Sequence, residues 1–400
     1  HDESASQKTD KPFKVSKRRM GNIALFKQRN AEYLNRLFGE HEIKAHKLRP
    51  GPFRIGFVVT DDNPETMAGD FFTASELAQA LANEFGWEVS FLSKASKSRD
   101  WFDAGGLDCL VVLLDTYDIS RVHNASEGLI KIAWLRNWFE RWAERSWIEQ
   151  FDLLLCSSEI ARDYISKRVG VRSEVMKIAT NPDRFHSEVE SEEQYESDYC
   201  FTGSFWDAPR DIEALNPGNL PFRFSLFGHG WENHDQFREN YRGSVPYKDI
   251  RKVYAGTKLL VDDANHVTKP WGSVNSRVFD ALSAGVLVIT NGTEGARETV
   301  GGKLPSYESI TELEEKVSYF LTNDDAREVL AKQLQKVVLE NHTYKKRAHD
   351  LRSLVGELVA GRNRVAIKAP VPSADVANEW GDFHFGKGLA RALEKLGYKV

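Results

Sequence analysis

The chain has 400 residues, a net charge of −5 at pH 7 and 41% hydrophobic residues, with 28% charged. Such a length suggests two domains, because single hydrophobic cores stop growing near roughly 250–300 residues, and the composition is that of a globular protein. The charge balance excludes a blanket basic surface, so nucleic acid is not an expected partner, and the longest apolar run, 110–114, is far too short to cross a bilayer.

Taken in chain order, residues 1–50 read as a polar leader followed by an amphipathic helix. The leader, 1–19, is Ser- and Lys-rich and expected to be disordered. Over 21–38, Ile23, Phe26, Tyr33, Leu34, Leu37 and Phe38 fall at helical spacing. The globular pattern starts sharply at Phe53. A buried strand is expected over 53–60, a helix through Ser75, Leu77, Ala80, Leu81 and Phe85, and a strand over 88–92. Short apolar strands follow at 109–113, 130–135, 153–156 and 175–178, separated by helical stretches such as 138–148 and 160–169. Strands of four to eight residues alternating with helices make a parallel sheet covered on both faces, an α/β domain over 51–186. The acidic stretch 187–197 suits a linker. A second series then runs to residue 361, with strands over 199–203, 224–227, 259–261 and 286–289 and helices over 248–255, 277–284 and 312–321. Two doubly wound domains, 51–186 and 187–361, place a cleft between the carboxyl ends of their strands, where ligands bind in open α/β sheets.

The tail, 362–400, repeats the beginning. Gly381-Asp382-Phe383, the following Leu389-Ala390-Arg391-Ala392-Leu393 and the terminal Tyr398-Lys399-Val400 parallel Gly69-Asp70-Phe71, Leu77-Ala78-Gln79-Ala80-Leu81 and Trp87-Glu88-Val89. It reads as the start of a second, truncated module. A chain opening on His1 rather than Met reads likewise as part of something longer. Cys109, Cys156 and Cys200 lie in or beside apolar runs, without a C-x-x-C pair or a zinc-like Cys/His spacing, and read as buried free thiols. No signal peptide is visible, so the expected location is the cytoplasm, free or at the inner face of the membrane.

Several strand ends carry chemistry. Phe201-Thr202-Gly203-Ser204 closes a strand shortly before a helix: a glycine there lets backbone N–H groups approach a ligand, and a helix N-terminus favours phosphate oxygens. Arg210 follows within reach of such an anion; the bland reading is a plain strand-to-helix turn. Ser276-Arg277-Val278-Phe279-Asp280 opens a helix whose first turn, with Arg277 as a bidentate fork, suits a diphosphate, while Asn275 or Ser276 can equally cap it. In the first domain Gly69 and Asp70 stand at the mouth of a helix, with Asp70 as N-cap the alternative. Arg136 and Asn137 follow an apolar strand and project from its carboxyl end, with Asn137 as a cap the alternative. Trp134, Trp138, Trp142 and Trp147 suit sugar stacking or core packing.

The order of Asp198-Tyr-Cys-Phe-Thr-Gly-Ser204, Phe227-Gly-His-Gly-Trp231, Arg242-Gly-Ser-Val245, Ser276-Arg-Val-Phe-Asp-Ala-Leu-Ser-Ala-Gly285 and Asn341-His-Thr-Tyr344 resembles the CgeB-like group of the glycosyltransferase group 1 superfamily. The resemblance covers about 150 residues, and the N-terminal half only by pattern. It implies a GT-B fold, a nucleotide-sugar donor held by the second domain and an acceptor held by the first. Gly203, Ser204, Arg210, Ser273, Asn275, Ser276, Arg277 and Asp280 are then donor-binding, with Asp280 on the ribose hydroxyls. Gly69, Asp70 and Arg136 meet the acceptor, and Asp70, Arg136 and Asn137 are the catalytic candidates. Many relatives carry two glutamates with seven residues between them; Asp280 matches the second, but the first falls on Gly272, with Lys269, Trp271, Ser273 and Asn275 as neighbours that can substitute. The chain has no Asp-x-Asp triplet, P-loop or G-x-G-x-x-G fingerprint. No metal and no cofactor beyond the nucleotide sugar itself are therefore expected, because Arg, Lys and helix N-termini can neutralise a leaving diphosphate. The expected function is transfer of a sugar, with retention, to an oligosaccharide or lipid-linked glycan of a surface polysaccharide, alongside a second glycosyltransferase module in the same chain. A GT-B epimerase acting on the sugar nucleotide and a silent GT-B binding module are the alternatives.

Overall fold

The computed structural model describes residues 51–400 apart from 64, 66, 67, 98, 99, 207, 208, 363, 372, 374, 375, 396 and 397. The expected leader and amphipathic helix lie outside the described residues. The first sheet comprises β1 (Arg54–Val59), β2 (Glu88–Ser93), β3 (Cys109–Val112), β4 (Ile130–Leu135), β5 (Leu153–Cys156) and β6 (Ser173–Val175). All six run parallel in the order β2-β1-β3-β4-β5-β6. Burial on both faces explains the continuous apolar runs: β3 and β5 have no exposed residue. The last strand lies earlier than the expected 175–178.

The second sheet holds β7 (Ser197–Thr202), β8 (Phe224–Phe227), β9 (Thr257–Asp262) and β10 (Leu287–Thr290), parallel in the order β10-β9-β7-β8. Each sheet has a place where the chain winds to one side and then to the other, between β1 and β3 in the first and between β7 and β9 in the second. Loops leave such neighbours in opposite directions and open a crevice at their carboxyl ends.

In the first half, α1 (Gly69–Phe85) follows β1 and ends on Gly86, whose φ of 64° stops the helix in the left-handed region. The helix expected over 138–148 is only the short α2 (Phe139–Ala143) followed by a 3-10 turn, Ile148–Gln150. Trp138, at φ 54°, turns the chain sharply into α2. The helix α3 (Glu159–Ser166) is capped by Ser158, whose Oγ accepts from Ala161 N. In the second half stand α4 (Ile250–Ala255), α5 (Ser276–Ser283), α6 (Thr293–Val300), α7 (Ile310–Thr322) and α8 (Asp324–Asn341). The following α9 (Tyr344–Arg362) falls within the range expected for the second domain, yet Tyr344, Ala348, Leu351 and Val355 bury themselves in the core of the first sheet. Their spacing of four, three and four residues is one helical stripe. Cys109, Cys156 and Cys200 are all buried. Among the described residues no helix is long and apolar enough to cross a membrane.

Residues 362–400 belong to a compact unit separate from 47–361. The expected strand at 364–368 is reduced to one parallel bridge, Arg364 to Lys399, with Val365 N donating to Lys399 O at 2.9 Å. The helix α10 (Gly381–Lys395) begins on the repeated glycine, and an apolar cavity of about 650 Å³ lies between Ile367, Val371, Phe383 and Val400.

Candidate active site

The two crevices meet in one cleft with two arms. A narrow arm of about 220 Å³ is walled by Phe72, Phe227, Val245, Tyr247, Ile250 and Tyr254, and Asp280 also lines it. A polar arm of about 560 Å³ is lined by Thr60, Asp70, Thr73, Asp115, Arg136, Asn137, Trp138, Thr268, Ser273 and Asn275. Gly69, Ser204, Ser276 and Arg277 line both. The structure thus brings together eleven of the twelve expected residues around the two arms, if Gly203 on the narrow one is included. Arg210 stands apart. Its guanidinium donates to the carbonyls of Ser204 (2.8 Å) and Asp263 (3.2 Å), so it braces the loop after β7. Burial, then the neighbouring Arg277, pull its pKa below the ordinary value.

The loop after β7 is shaped by close backbone approach. Gly228, at φ 143°, lies so near Gly203 that a Cβ would stand 2.2 Å from the Gly203 carbonyl oxygen. That oxygen accepts from Trp231 Nε1 at 2.7 Å. A Cβ on Gly203 would in turn meet Arg277 Nη2 at 2.9 Å, so the glycine admits the guanidinium beneath the loop.

Sequence reasoning missed the acidic pair that ends β9. Asp262 is buried and accepts from Arg277 Nη1 (2.8 Å) and Asn275 Nδ2 (3.1 Å) on one oxygen and from Thr290 Oγ1 (2.7 Å) on the other. Two polar residues directly after Leu259-Leu260-Val261 were the available signal. Asn275 occupies the N-cap position of α5, but its side chain holds Asp262 and makes no cap bond. The first turn of α5 is thereby left without a side-chain cap and its residues line the cleft. Such a turn favours an anion. Asp280 lies deeper: it accepts from Thr180 Oγ1 at 2.7 Å, and burial pushes its carboxyl well above the ordinary range.

On the opposite wall the N-cap of α1 is Ala68, which offers no side-chain bond, and Asp70 sits inside the first turn, where its carboxylate accepts from Thr60 N. Asp70 is therefore not the cap. Neither is Asn137, because α2 is preceded by Trp138 without a side-chain cap. Trp138 lines the polar arm, edge-on to His266 (5.9 Å between ring centres) and beneath Arg141 (4.5 Å). Trp134 and Trp142 are core residues. Phe72 of α1 stacks on Tyr247 at 4.2 Å and 14°, an aromatic pair spanning the two halves along the narrow arm. A polar seam joins the halves nearby: Ser157 Oγ to Ser273 Oγ at 2.7 Å, Ser158 Oγ to Trp271 O, and Glu298 accepting from Glu159 N and Lys177. Gly272, at φ 65°, adjoins that seam, where a side chain would be strained.

Chemically, the narrow apolar arm suits a planar ring, the shared junction of Arg277 with the first turn of α5 suits a diphosphate, and the polar arm suits a hydroxyl-rich ligand. Among the described residues no group of His, Cys, Asp and Glu is arranged to hold a metal ion.

Comparison with known proteins agrees with this fold. No curated protein matches the chain by sequence. Among solved structures the chain is similar to sucrose-phosphate synthase from Thermosynechococcus elongatus, at 12% identity and a TM-score of 0.59 over 77% of this chain and 100% of that one. It is similar to Anabaena HepE in complex with UDP and glucose, at 11% identity and a TM-score of 0.56 over 76% and 100%. It is also similar to AviGT4, a glycosyltransferase involved in avilamycin A biosynthesis, at 15% identity and a TM-score of 0.52 over 78% and 99%. The fold is GT-B, two Rossmann-like domains facing a cleft. Residues 210–353 match the protein family described as glycosyl transferase-like, so this part of the chain is a glycosyltransferase domain.

Proposed function

We propose that the protein moves a sugar from a nucleotide-diphosphate donor to an acceptor oligosaccharide or lipid-linked glycan. The observation that carries this reading is the junction of the two arms, where Arg277 and the first turn of α5 meet a narrow apolar arm on one side and a hydroxyl-binding arm on the other. The base and ribose enter the narrow arm towards Asp280, and Arg277 with the α5 amides takes the charge that develops on the departing diphosphate. The acceptor hydroxyl approaches from Gly69, Asp70, Arg136 and Asn137. Charge neutralisation by these groups supports metal-independent transfer, and the resemblance to the CgeB-like group supports retention and a role in surface polysaccharide synthesis; the expected location is the cytoplasm or the inner face of the membrane. The repeat of β1-α1-β2 features at 362–400 supports a second module in the native chain.

A second reading is favoured by one observation. A glutamate cannot stand at Gly272 without strain, so the carboxylate that many relatives direct at the donor sugar has no counterpart there. This favours a silent binding module, or an epimerase with a different sugar contact. Mass-spectrometric screening of nucleotide sugars with oligosaccharide acceptors separates the three. Acceptor-dependent product that survives EDTA supports transfer. Turnover without acceptor identifies an epimerase, binding without turnover the silent module, and loss of product with EDTA restored by Mn²⁺ refutes metal independence.

A further inference from the structure

Four charged side chains line the polar arm, and three of them are well matched. Asp115 is ion-paired to Arg141 (2.9 Å) and Arg145 (2.7 Å), Arg277 to Asp262 (2.8 Å), and the Asp70 carboxylate takes the Thr60 N–H. Arg136 differs. Among the described residues its Nη1 reaches only the Thr73 hydroxyl (3.2 Å) and the Gly69 carbonyl (3.4 Å), and its buried Nε has no hydrogen-bond partner. Burial pulls the guanidinium below its ordinary pKa, and Asp70 opposes this only in part. A partly buried guanidinium with an unbonded, buried Nε and no bonded counter-ion is costly. The first turn of α1, uncapped by any side chain, lines the same arm and also favours an anion. On the donor reading above, the diphosphate is already met by Arg277 across the cleft, so Arg136 is left for a different negative charge.

Resting on that reading, we propose that the sugar seated in the polar arm carries an anion of its own, a carboxylate or a phosphate, which Arg136 recognises. Trp138, in the same wall, offers a ring to the apolar face of a pyranose, and Asn137 is at hand for hydroxyls. The charge belongs either to the transferred sugar, as a uronic acid, or to the acceptor, as a sugar phosphate or uronate.

Calorimetric titration distinguishes these sources. One arm compares UDP-glucose with UDP-glucuronic acid and GDP-mannose with GDP-mannuronic acid. The other adds glucose, glucuronic acid or glucose 6-phosphate to protein saturated with UDP or GDP. In one arm the charged ligand is expected to bind about tenfold or more tightly than its neutral counterpart, the gain from one charge-assisted contact. Arg136→Gln should erase the difference and Arg136→Lys should keep part of it, with melting temperatures confirming that both variants fold. Equal binding of charged and neutral members, or no binding of any sugar in the second arm together with no preference in the first, overturns the proposal. So does discrimination that survives Arg136→Gln. If Arg136→Gln weakens UDP or GDP alone as much as the charged ligand, Arg136 serves the diphosphate and the proposal falls. Failure of UDP and GDP themselves to bind wild-type protein counts instead against the donor reading.

Discussion

Replacing Arg277 with alanine removes two things at once, and the structure allows them to be separated. The guanidinium lies 2.8 Å from Asp262, with the arginine side chain 16% and the aspartate 2% exposed. Breaking a buried pair by removing one partner costs about 3–5 kcal/mol, because a buried charge is left uncompensated. Asp262 keeps its bonds from Asn275 and Thr290, so the lower end, about 3 kcal/mol, is expected. At roughly 2–4 °C per kcal/mol this lowers the melting temperature by about 6–12 °C. Asp262→Asn in the same chain should recover most of it, since an amide still accepts from Asn275 and the Thr290 hydroxyl can turn to accept. The second loss is the charge-assisted contact to the donor diphosphate, about 1.5–3 kcal/mol, or roughly 10–150-fold in affinity. Differential scanning calorimetry follows the first quantity. Titration with nucleoside diphosphates, well below both melting midpoints, follows the second. The double variant should regain stability and remain weak in binding. A folded Arg277→Ala protein with unchanged nucleotide affinity would show that Arg277 is only a strut for Asp262.

Gly228→Ala places a methyl group against the Gly203 carbonyl in a left-handed conformation, and should cost about 3 kcal/mol and weaken nucleotide binding; an unchanged melting curve refutes the close approach. His342 accepts from Arg347 Nη2 on Nδ1 (3.0 Å), because a guanidinium only donates, and its Nε2–H donates to Thr299 O (3.1 Å). Burial and Arg347 push the imidazole down to about 4, below its ordinary value of about 6.5. The unfolded chain therefore binds this proton first, so up to about 3 kcal/mol of stability present above pH 6.5 is lost as the pH falls towards 4. Urea midpoints between pH 7.5 and 4.5 should flatten in His342→Gln; an unchanged slope removes His342 from the explanation. A chain ending at Gly361 should keep its melting temperature and nucleotide affinity, since 362–400 belongs to a separate unit; loss of either would tie the tail to the cleft.

The two parallel sheets were legible because buried strands write themselves as short apolar runs: Leu153–Cys156 and Phe224–Phe227 have no other plausible place. The cleft followed from the strand ends. Helices α6, α8 and α9 were not expected. In α9 one apolar stripe of Tyr344, Ala348, Leu351 and Val355 is diluted among nine polar and charged residues, and no local pattern says that it returns to the first sheet. The short α2 was overestimated because the helical spacing of Trp138 and Trp142 does not report the left-handed backbone at Trp138. In the site, residue types were readable and their pairings were not. Arg277 signalled an anion, but its anchor Asp262 lies 15 residues away at the end of β9, and the isolation of Arg136 depends on which of its neighbours reach it.

The most direct test of the donor site is titration of the wild-type chain and of the Arg277→Ala, Asp262→Asn double variant with UDP, GDP, dTDP, ADP and CMP. A nucleotide-diphosphate glycosyltransferase with its donor junction at Arg277 binds at least one of the diphosphates, and the stabilised double variant binds it at least about tenfold more weakly. Absence of binding to every nucleotide, or equal affinity in both proteins, contradicts that assignment.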